Sequence, residues 1–218
     1  MAFEEVTNYL NQVRRDFAKK ALNEEAVDEN PFEQLGNWIE EAIDAQILDP
    51  YAMTISTATP NGIPSSRVVY LRGIYEQGLV FYTNYNSHKG KELQQNPTIA
   101  LNFYWAEVER QIRIEGIVEK FSAEASDKYF AERPRESQLG AWASSQSEEI
   151  SSREELKQRL IDYQTQFEGE EVPRPPHWGG YLVKPNYFEF WQGRPSRLHD
   201  RIYYKKSGDN WKLGRLMP

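Results

Sequence analysis

The stretch Y-F-E-F-W-Q-G-R-P-S-R-L-H-D-R, residues 187–201, begins with the bulky side chains of a β-strand and then breaks at a glycine and a proline. If the chain becomes extended again after that turn, alternate side chains point to the same face. Three basic groups would then share one face: Arg197, His199 and Arg201. Such a cluster repels itself unless an anion lies within it, although a solvated edge strand could carry the same residues. The aromatic run before it favours a binding site.

Length and composition indicate one main domain with an N-terminal appendage. The chain has 218 residues, no cysteine and a formal net charge of −7. We expect residues 1–30 to form a helix and linker and residues 31–218 to form the domain. The acidic balance argues against nucleic acid as a partner, and no apolar run approaches the ~20 residues of a membrane helix. Without a secretory leader or a disulfide framework, the chain is expected to be cytoplasmic.

Hydrophobic spacing predicts two helices followed by a run of short strands. Apolar residues at helical intervals predict a helix over 4–22, and Asn30-Pro31 begins a second one over 31–47. From there, β-rich segments joined by glycine and proline turns predict strands at 51–59, 63–72 and 79–84, with more strands to the end of the chain. This order favours an antiparallel barrel or sandwich over a doubly wound fold.

Two other places in the sequence predict anion binding. Ser87 is a good N-cap for a short helix with Lys89 in its first turn, where free N–H groups and the helix dipole favour a phosphate. An ordinary capped surface helix is the alternative. A second cluster contains Arg133, Arg135 and Ser137. In an acidic protein, such groups suggest two or more bound phosphates.

Other common chemistries lack their sequence signatures. The chain has three histidines, none at the spacing of a zinc site, so we predict no metal centre. It has no G-x-S-x-G elbow of a hydrolase, and no G-x-G-x-x-G follows a predicted strand.

An ordered set of motifs resembles the pyridoxine/pyridoxamine 5′-phosphate oxidase family. The motifs are R-V-V-Y-L-R at 67–72, F-Y-T-N-Y-x-S-x-K-G at 81–90, E-R-Q-I-R-I-E-G at 109–116, R-P-R-E-S-Q-L-G at 133–140, Q-S at 146–147 and F-W-Q-G-x-x-x-R-L-H-D-R at 190–201. The resemblance implies a mostly β fold with flanking helices (α+β), namely an FMN-binding split β-barrel of antiparallel Greek-key type. It also implies a homodimer with FMN in a groove between the subunits.

The same resemblance implies the residues that bind the flavin. The family's FMN contacts fall on Arg67, Val68, Val69, Tyr70, Leu71, Arg72, Tyr82, Thr83, His88, Lys89, Gln111, Gln146, Ser147, Trp191 and Arg201. On the family's pattern, one chain supplies the groups at 67–72 and Lys89. The other chain supplies Gln146, Trp191 and Arg201.

The substrate side and the reaction are implied in the same way. The family's substrate contacts fall on Arg14, Arg15, Asp16, Phe17, Arg72, Tyr129, Arg133, Ser137, Arg197, Leu198 and His199. Of these, Arg197 and His199 are the expected catalytic residues, and the segment at 14–17 matches a mobile piece that closes over the substrate. The implied reaction oxidises pyridoxine or pyridoxamine 5′-phosphate to pyridoxal 5′-phosphate with O2, releasing H2O2, and ammonia from the amine.

Three positions depart from the family's pattern. Arg72 stands where the family usually has Lys, His88 where it has Arg, and Phe17 where it has Tyr. The charge is kept at the first, the guanidinium fork is lost at the second, and a hydroxyl is lost at the third. Three alternatives stay open: a flavin enzyme on another substrate, a non-enzymatic binder of FMN or vitamin B6 phosphate, and a polyanion-binding module.

Overall fold

The computed structural model describes residues 3–13 and 15–218. Its helices are α1 (Phe3–Gln12), α2 (Pro31–Asp44), α3 (His88–Gln95), α4 (Ala123–Ala131), α5 (Arg135–Ala143) and α6 (Arg153–Gln166). Its strands are β1 (Ala52–Ala58), β2 (Pro64–Tyr70), β3 (Gly73–Tyr75), β4 (Gly78–Asn84), β5 (Thr98–Trp105), β6 (Arg110–Lys120), β7 (Trp178–Gln192), β8 (Asp200–Ser207) and β9 (Asn210–Arg215). Short 3₁₀ turns lie at Glu24–Ala26 and Pro195–Arg197.

The strands form one curled antiparallel sheet that is organised around β7. The order is β2-β1-β5-β6-β7-β4-β3, and β8 and β9 continue from β7. The first half of β7 pairs with β4 and its second half with β8, while β6 runs along nearly its whole length. A bulge at Glu115 and Gly116 lies opposite Pro185, whose nitrogen has no hydrogen to donate to the ladder. The predicted mostly β architecture with flanking helices is confirmed.

Side-chain alternation along the strands builds the main core. On β1, Met53 and Ile55 are almost fully buried, and their neighbours on the other face are half-buried. Helix α2 covers one end of the sheet, where the Trp38 ring lies edge-on to Phe190 at 5.1 Å between centroids. A second cluster joins α4, α5 and α6 to the start of β7 through Phe130, Leu139, Phe167, Val172 and Trp178. This cluster fixes the helices beside the sheet.

The predicted helix over 4–22 is wrong in its second half. Helix α1 ends at Gln12, and residues 15–20 form an irregular strap that crosses the turn between β5 and β6. The cause is tertiary: the strap's backbone N–H groups find a carboxylate acceptor, Glu109, in place of helical carbonyls. The second helix was predicted correctly but ends at Asp44, three residues earlier than expected.

No helix among the described residues has the length and apolar character needed to cross a membrane.

Candidate active site

A cleft of about 980 Å³ opens between the sheet and helices α3, α4 and α5. Strands β2 and β4 form its floor, the first turn of α3 lies at its side, and α5 with the loop after it closes it. Predicted site residues that line it are Arg67, Val68, Val69, Tyr70, Arg72, Tyr82, Thr83, His88, Lys89, Tyr129, Arg133, Ser137, Gln146 and Ser147. Most of the predicted phosphate-binding groups therefore meet in one place.

Lys89 lies buried in the first turn of α3. Ser87 caps this helix by accepting a hydrogen bond from the N–H of Gly90, as the sequence predicted. The Lys89 Nζ donates to Oγ1 of Thr83 at 3.2 Å and to Oε1 of Gln146 at 3.1 Å. Burial, and then the neighbouring guanidinium of Arg67, lower the pKa of Lys89 to about 8. The lysine and the arginine thus form a close pair of like charges.

A buried carboxylate supports Arg67 from below. The Nη2 of Arg67 lies 3.3 Å from Oε2 of Glu92, which is 4% exposed and also accepts a hydrogen bond from Ser65 at 2.7 Å. The other oxygen of Glu92 lies 3.3 Å from Nε2 of the exposed His88. Helical spacing explains the last contact, since residues four apart lie on one face. Sequence reasoning missed Glu92, although its position four residues after His88 was the available signal.

Arg133 is a second cationic side chain that lines the cleft, and it packs against aromatic rings. Its guanidinium carbon lies 4.6 Å from the centroid of Trp178, the ring of which stacks with those of Tyr82 and Tyr129. Burial is the main cause that lowers the pKa of Arg133, and the charge of Arg72 acts in the same direction. Its Nη1 is buried and has no hydrogen-bond partner among the described residues. Because a buried donor without a partner is costly, this atom marks a place for an acceptor.

Arg72, one of the three departures, is held by two tyrosines. Its guanidinium carbon lies 5.3 Å from the ring centroid of Tyr51 and 5.0 Å from that of Tyr70. Both tyrosine hydroxyls donate to the carboxylate of Asp49, at 2.8 and 3.2 Å. A planar guanidinium suits this stacked position better than an ammonium does. The neighbouring rings therefore give a physical reason for arginine at position 72.

A second group of predicted site residues lies around Trp191, away from the cleft. The ring of His199 lies 4.6 Å from that of Trp191, and Phe17 meets both rings edge-on at 5.4 and 5.7 Å. Gln111 is the partner of Trp191 across the β6–β7 ladder. Arg201, opposite Trp191 on β8, donates to the buried Glu189 at 2.8 Å. Trp178 lines the cleft and Trp191 lies thirteen residues further along β7, which is roughly 40 Å of strand.

The predicted common face of Arg197, His199 and Arg201 is wrong. Residues 195–197 form a 3₁₀ turn in which Ser196 and Arg197 have φ of 56° and 62°, and β8 begins only at Asp200. Arg197 and Leu198 are exposed in this turn, while Arg201 lies in the ladder. The alternation of an extended chain therefore does not apply before position 200. His199 points back, and its Nδ1 accepts a hydrogen bond from the N–H of Arg194 at 3.1 Å.

Three further predictions about site residues need correction. Arg135 does not join the anion site, because its guanidinium donates to the carbonyls of Phe167 and Glu170 at the end of α6. Leu71 packs its side chain in the core. Gln146 was assigned to the other chain, but it contacts Lys89 within the same chain.

Substrate contacts are implied for residues 14–17, of which the structure describes 15–17. Arg14 lies outside the described residues. The carboxylate of Asp16 accepts a hydrogen bond from the N–H of Phe17. Arg15 binds Glu109, which sequence reasoning also missed.

The curled antiparallel sheet with its cationic cleft defines a split-barrel protein. A pyridoxamine 5′-phosphate oxidase-related, FMN-binding protein from Nostoc punctiforme shares this fold, with a TM-score of 0.70, 18% identity, and coverage of 88% of this chain and 100% of that one. PhzG from Burkholderia lata, solved in complex with tetrahydrophenazine-1-carboxylic acid, superposes with a TM-score of 0.86 at 32% identity over 92% of this chain and 99% of that one.

Sequence comparison identifies the family. Residues 39–167 match the family described as pyridoxamine 5′-phosphate oxidase, and residues 178–218 match the pyridoxine 5′-phosphate oxidase C-terminal dimerisation region. A pyridoxine/pyridoxamine 5′-phosphate oxidase from Rubrobacter xylanophilus is 53% identical over 94% of this chain and 95% of its own length. One from Trichormus variabilis is 55% identical over 94% of this chain and 97% of its own length. The chain belongs to the pyridoxine/pyridoxamine 5′-phosphate oxidase family.

Proposed function

We propose that this chain oxidises pyridoxine 5′-phosphate or pyridoxamine 5′-phosphate to pyridoxal 5′-phosphate. FMN is the bound redox group and O2 the electron acceptor, with H2O2 released, and ammonia when the amine is the substrate. The family membership supports the reaction. The structural observation that carries the proposal is the distribution of charge in the cleft.

Two pairs of like charges lie in the one cleft. Lys89 and Arg67 form the first pair. Arg133 and Arg72 form the second, in which the charge of Arg72 contributes to the lowered pKa of Arg133. Like charges so placed destabilise each other, so each pair suits a separate dianionic group. A flavin mononucleotide and a phosphorylated pyridine carry one phosphate each. The two pairs fit these two phosphates.

The residues of the first pair fit the phosphate of FMN. Lys89 has its Nζ at the base of the cleft, Arg67 is oriented by Glu92, and the α3 N-terminus adds backbone N–H groups. Gln111, Trp191 and Arg201 would hold the rest of the cofactor. When bound, FMN would supply the hydride acceptor and pass the electrons to O2, and water would supply the aldehyde oxygen when the amine is the substrate. The protein holds the reacting carbon against the flavin.

The second pair and the aromatic stack fit the substrate's phosphate. Arg133 offers its buried Nη1, Ser137 in the first turn of α5 offers a hydroxyl, and Tyr129 lies beside them. Arg72 lines the same cleft with its guanidinium stacked on two tyrosine rings. An anion here would satisfy the unpaired donor, which makes this site specific for a phosphorylated ligand.

His199 acts as a hydrogen-bond donor to the substrate ring in this proposal. Its Nδ1 accepts from a backbone N–H, so the neutral ring carries its proton on Nε2. Burial, and then the charge of Arg197, lower the pKa of His199, which keeps the ring neutral at neutral pH. Nε2–H is then the group available for the substrate, and Arg197 adds positive charge nearby.

A homodimer brings the two groups of residues together. Within one chain the cleft and the Trp191 cluster lie at opposite ends of β7. A two-fold pairing places the Trp191 cluster of each chain at the cleft of the other and builds two equal sites. The match of residues 178–218 to a dimerisation region supports this arrangement.

A flavin enzyme acting on another substrate is the second candidate, and the likeness to PhzG favours considering it. A substrate with a single carboxylate would neutralise only one of the charges of Arg133 and Arg72, whereas a phosphate dianion matches both. The charge pair therefore favours the phosphorylated pyridine.

The deciding experiment is a spectrum followed by turnover. The purified protein should show flavin absorption bands, and pyridoxine 5′-phosphate added under air should yield pyridoxal 5′-phosphate and H2O2. Unphosphorylated pyridoxine is the matched control and should turn over far more slowly. A yellow protein that releases no H2O2 with either phosphate ester would instead be a binder of the cofactor.

A further inference from the structure

The strap formed by residues 15–20 makes three of its hydrogen bonds to the body at one carboxylate. Oε2 of Glu109 accepts hydrogen bonds from the N–H groups of Ala18 and Lys19, at 3.0 and 3.1 Å. Its Oε1 lies 3.3 Å from Nη2 of Arg15, which also donates to the carbonyl of Ala106 at 2.8 Å. Hydrogen bonds to a charged acceptor are the strong ones. Three of the strap's hydrogen bonds therefore meet at one charged side chain.

Glu109 is an unusual residue for its place in the backbone. It is the last residue of the β5–β6 turn and has φ of 59°, a left-handed conformation that favours glycine or asparagine. It is 4% exposed, yet it is a carboxylate. Burial by itself would raise the pKa of Glu109, but the hydrogen bonds from Lys19, Ala18 and Arg15 hold it below its usual value. A strained, buried and charged residue at a turn indicates a role for its side chain.

The backbone of Glu109 also binds the loop against which the strap packs. The carbonyl of Glu109 accepts a hydrogen bond from the N–H of Gly193 at 2.8 Å. The ring of Phe17 packs onto that glycine so closely that an added Cβ would lie 2.6 Å from its Cδ1. Phe17 in turn meets Trp191 and His199 edge-on. One residue thus binds the strap through its side chain and the supporting loop through its backbone.

We propose that Glu109 is a positioning residue that holds the strap over Trp191 and His199 and so sets the affinity for the substrate's ring. This inference rests on the proposed function for its link to substrate. It also explains how Phe17 serves without the hydroxyl usual at its position. The strap is retained by Arg15 and two backbone N–H groups bound to Glu109, and residue 17 contributes its ring.

The first test compares Glu109→Gln with Glu107→Gln in the flavin-loaded protein. Both remove one carboxylate from the same turn, but the exposed side chain of Glu107 does not hold the strap. We expect Glu109→Gln to raise KM for pyridoxine 5′-phosphate roughly tenfold, as for one lost charge-assisted hydrogen bond. The kcat and the flavin content should stay at the wild-type level. In a double variant that combines Glu109→Gln with Phe17→Ala, KM should rise little above the larger of the two single-variant values, because both changes disrupt the same contact.

The second readout does not depend on activity. Hydrogen–deuterium exchange of a peptide covering 15–22 reports the Ala18 and Lys19 amides, which should exchange roughly tenfold faster in Glu109→Gln than in Glu107→Gln. Ala18→Pro tests the same contact from the side of the strap, because it removes the Ala18 N–H that donates to Glu109 and alters no residue of the sheet. Ala21→Pro is its control, because Ala21 does not donate to Glu109. Ala18→Pro should raise KM more than Ala21→Pro.

The outcomes separate this inference from the proposed function. Exchange and KM in Glu109→Gln that match those of Glu107→Gln would overturn it, as would faster exchange with an unchanged KM. If Glu109→Gln fails to fold or loses flavin, Ala18→Pro decides, and an unchanged KM there overturns the inference. A wild-type protein that never oxidises the phosphate ester would refute the function instead, while the exchange data would still decide whether Glu109 holds the strap.

Discussion

The guanidinium of Arg67 and the carboxylate of Glu92 lie 3.3 Å apart beneath the cleft, and the carboxylate is almost fully buried. A carboxylate so close to the proposed phosphate site would oppose the ligand's charge by Coulomb's law. Glu92 instead orients the side chains around it, because it also accepts a hydrogen bond from Ser65 and pairs with His88. Glu92 is therefore a structural support of the cationic site.

Replacing Glu92 with leucine should destabilise the fold. The change leaves a partly buried guanidinium and nearby hydroxyls without their acceptor, a loss of about 3 kcal/mol in the free energy of unfolding. Urea denaturation of the flavin-free protein measures it. Glu124→Leu on the exposed face of α4 is the control and should change the stability little. An equal loss in both variants would show that Glu92 has no special role.

The pKa of Lys89 should make FMN affinity fall in alkaline solution. Only the protonated ammonium attracts the phosphate, and burial with the neighbouring Arg67 lowers the pKa of Lys89 to about 8. Affinity should therefore be highest below pH 8 and decline by up to about tenfold per pH unit above it, until the pKa in the complex is reached. Quenching of flavin fluorescence between pH 7 and 9.5 measures the decline. Lys89→Met should bind weakly and lack the slope, and a slope retained in that variant would assign it to another group.

Replacing His88 with arginine should strengthen FMN binding. His88 lines the cleft at the start of α3, and an arginine there would offer a guanidinium fork to the phosphate beside the N-terminal N–H groups of the helix. The gain should be roughly tenfold in affinity, as for one added charge-assisted hydrogen bond. Quenching of flavin fluorescence measures the affinity of both proteins at one pH. Equal affinities would refute this role for position 88.

Features of the fold that depend on local chemistry were predictable from the sequence. The Ser87 cap, the helix beginning at Pro31 and the alternating strands follow from residues within a few positions of one another. The strap was not predictable, because its irregular path is set by Glu109, about ninety residues away in the chain. Local helical spacing cannot outweigh such a contact when the alternative acceptor is a buried carboxylate.

The site was predictable as a set of residues but not as a geometry. Arg67, Lys89 and Arg133 were expected near phosphates and do line one cleft. The sequence could not place Arg197, because the left-handed turn at Ser196 breaks the alternation that an extended chain would have. It could not place Gln146 either, because which chain supplies a residue depends on the path of the loop after α5.

Arg197 and His199 should matter more for turnover than for flavin retention. His199 contacts Trp191 and Phe17, and Arg197 lies exposed in the adjacent turn. Replacing either with alanine should lower kcat per bound flavin, and the loss of a single positioned donor costs roughly 10²-fold. Flavin content from absorption and turnover from H2O2 release are measured on the same sample. Normal turnover per flavin with a loss of bound flavin would assign these residues to the cofactor.

A mixture of two inactive variants should show that each site is shared between two chains. Lys89 lies in the cleft and Arg201 lies across from Trp191 on β8, at the far end of β7. In a two-fold dimer, one site of a mixed pair of Lys89→Ala and Arg201→Ala chains receives both intact residues, and the other receives neither. After unfolding and refolding together in equal amounts, half of the dimers are mixed and each has one intact site. Activity should return to roughly a quarter of the wild-type value if the sites work independently. Lys89→Ala refolded alone and Arg201→Ala refolded alone are the controls, and exchange of chains is verified by mass spectrometry of differently tagged proteins. Activity that stays at the level of these controls, with mixed dimers present, would place each whole site within a single chain.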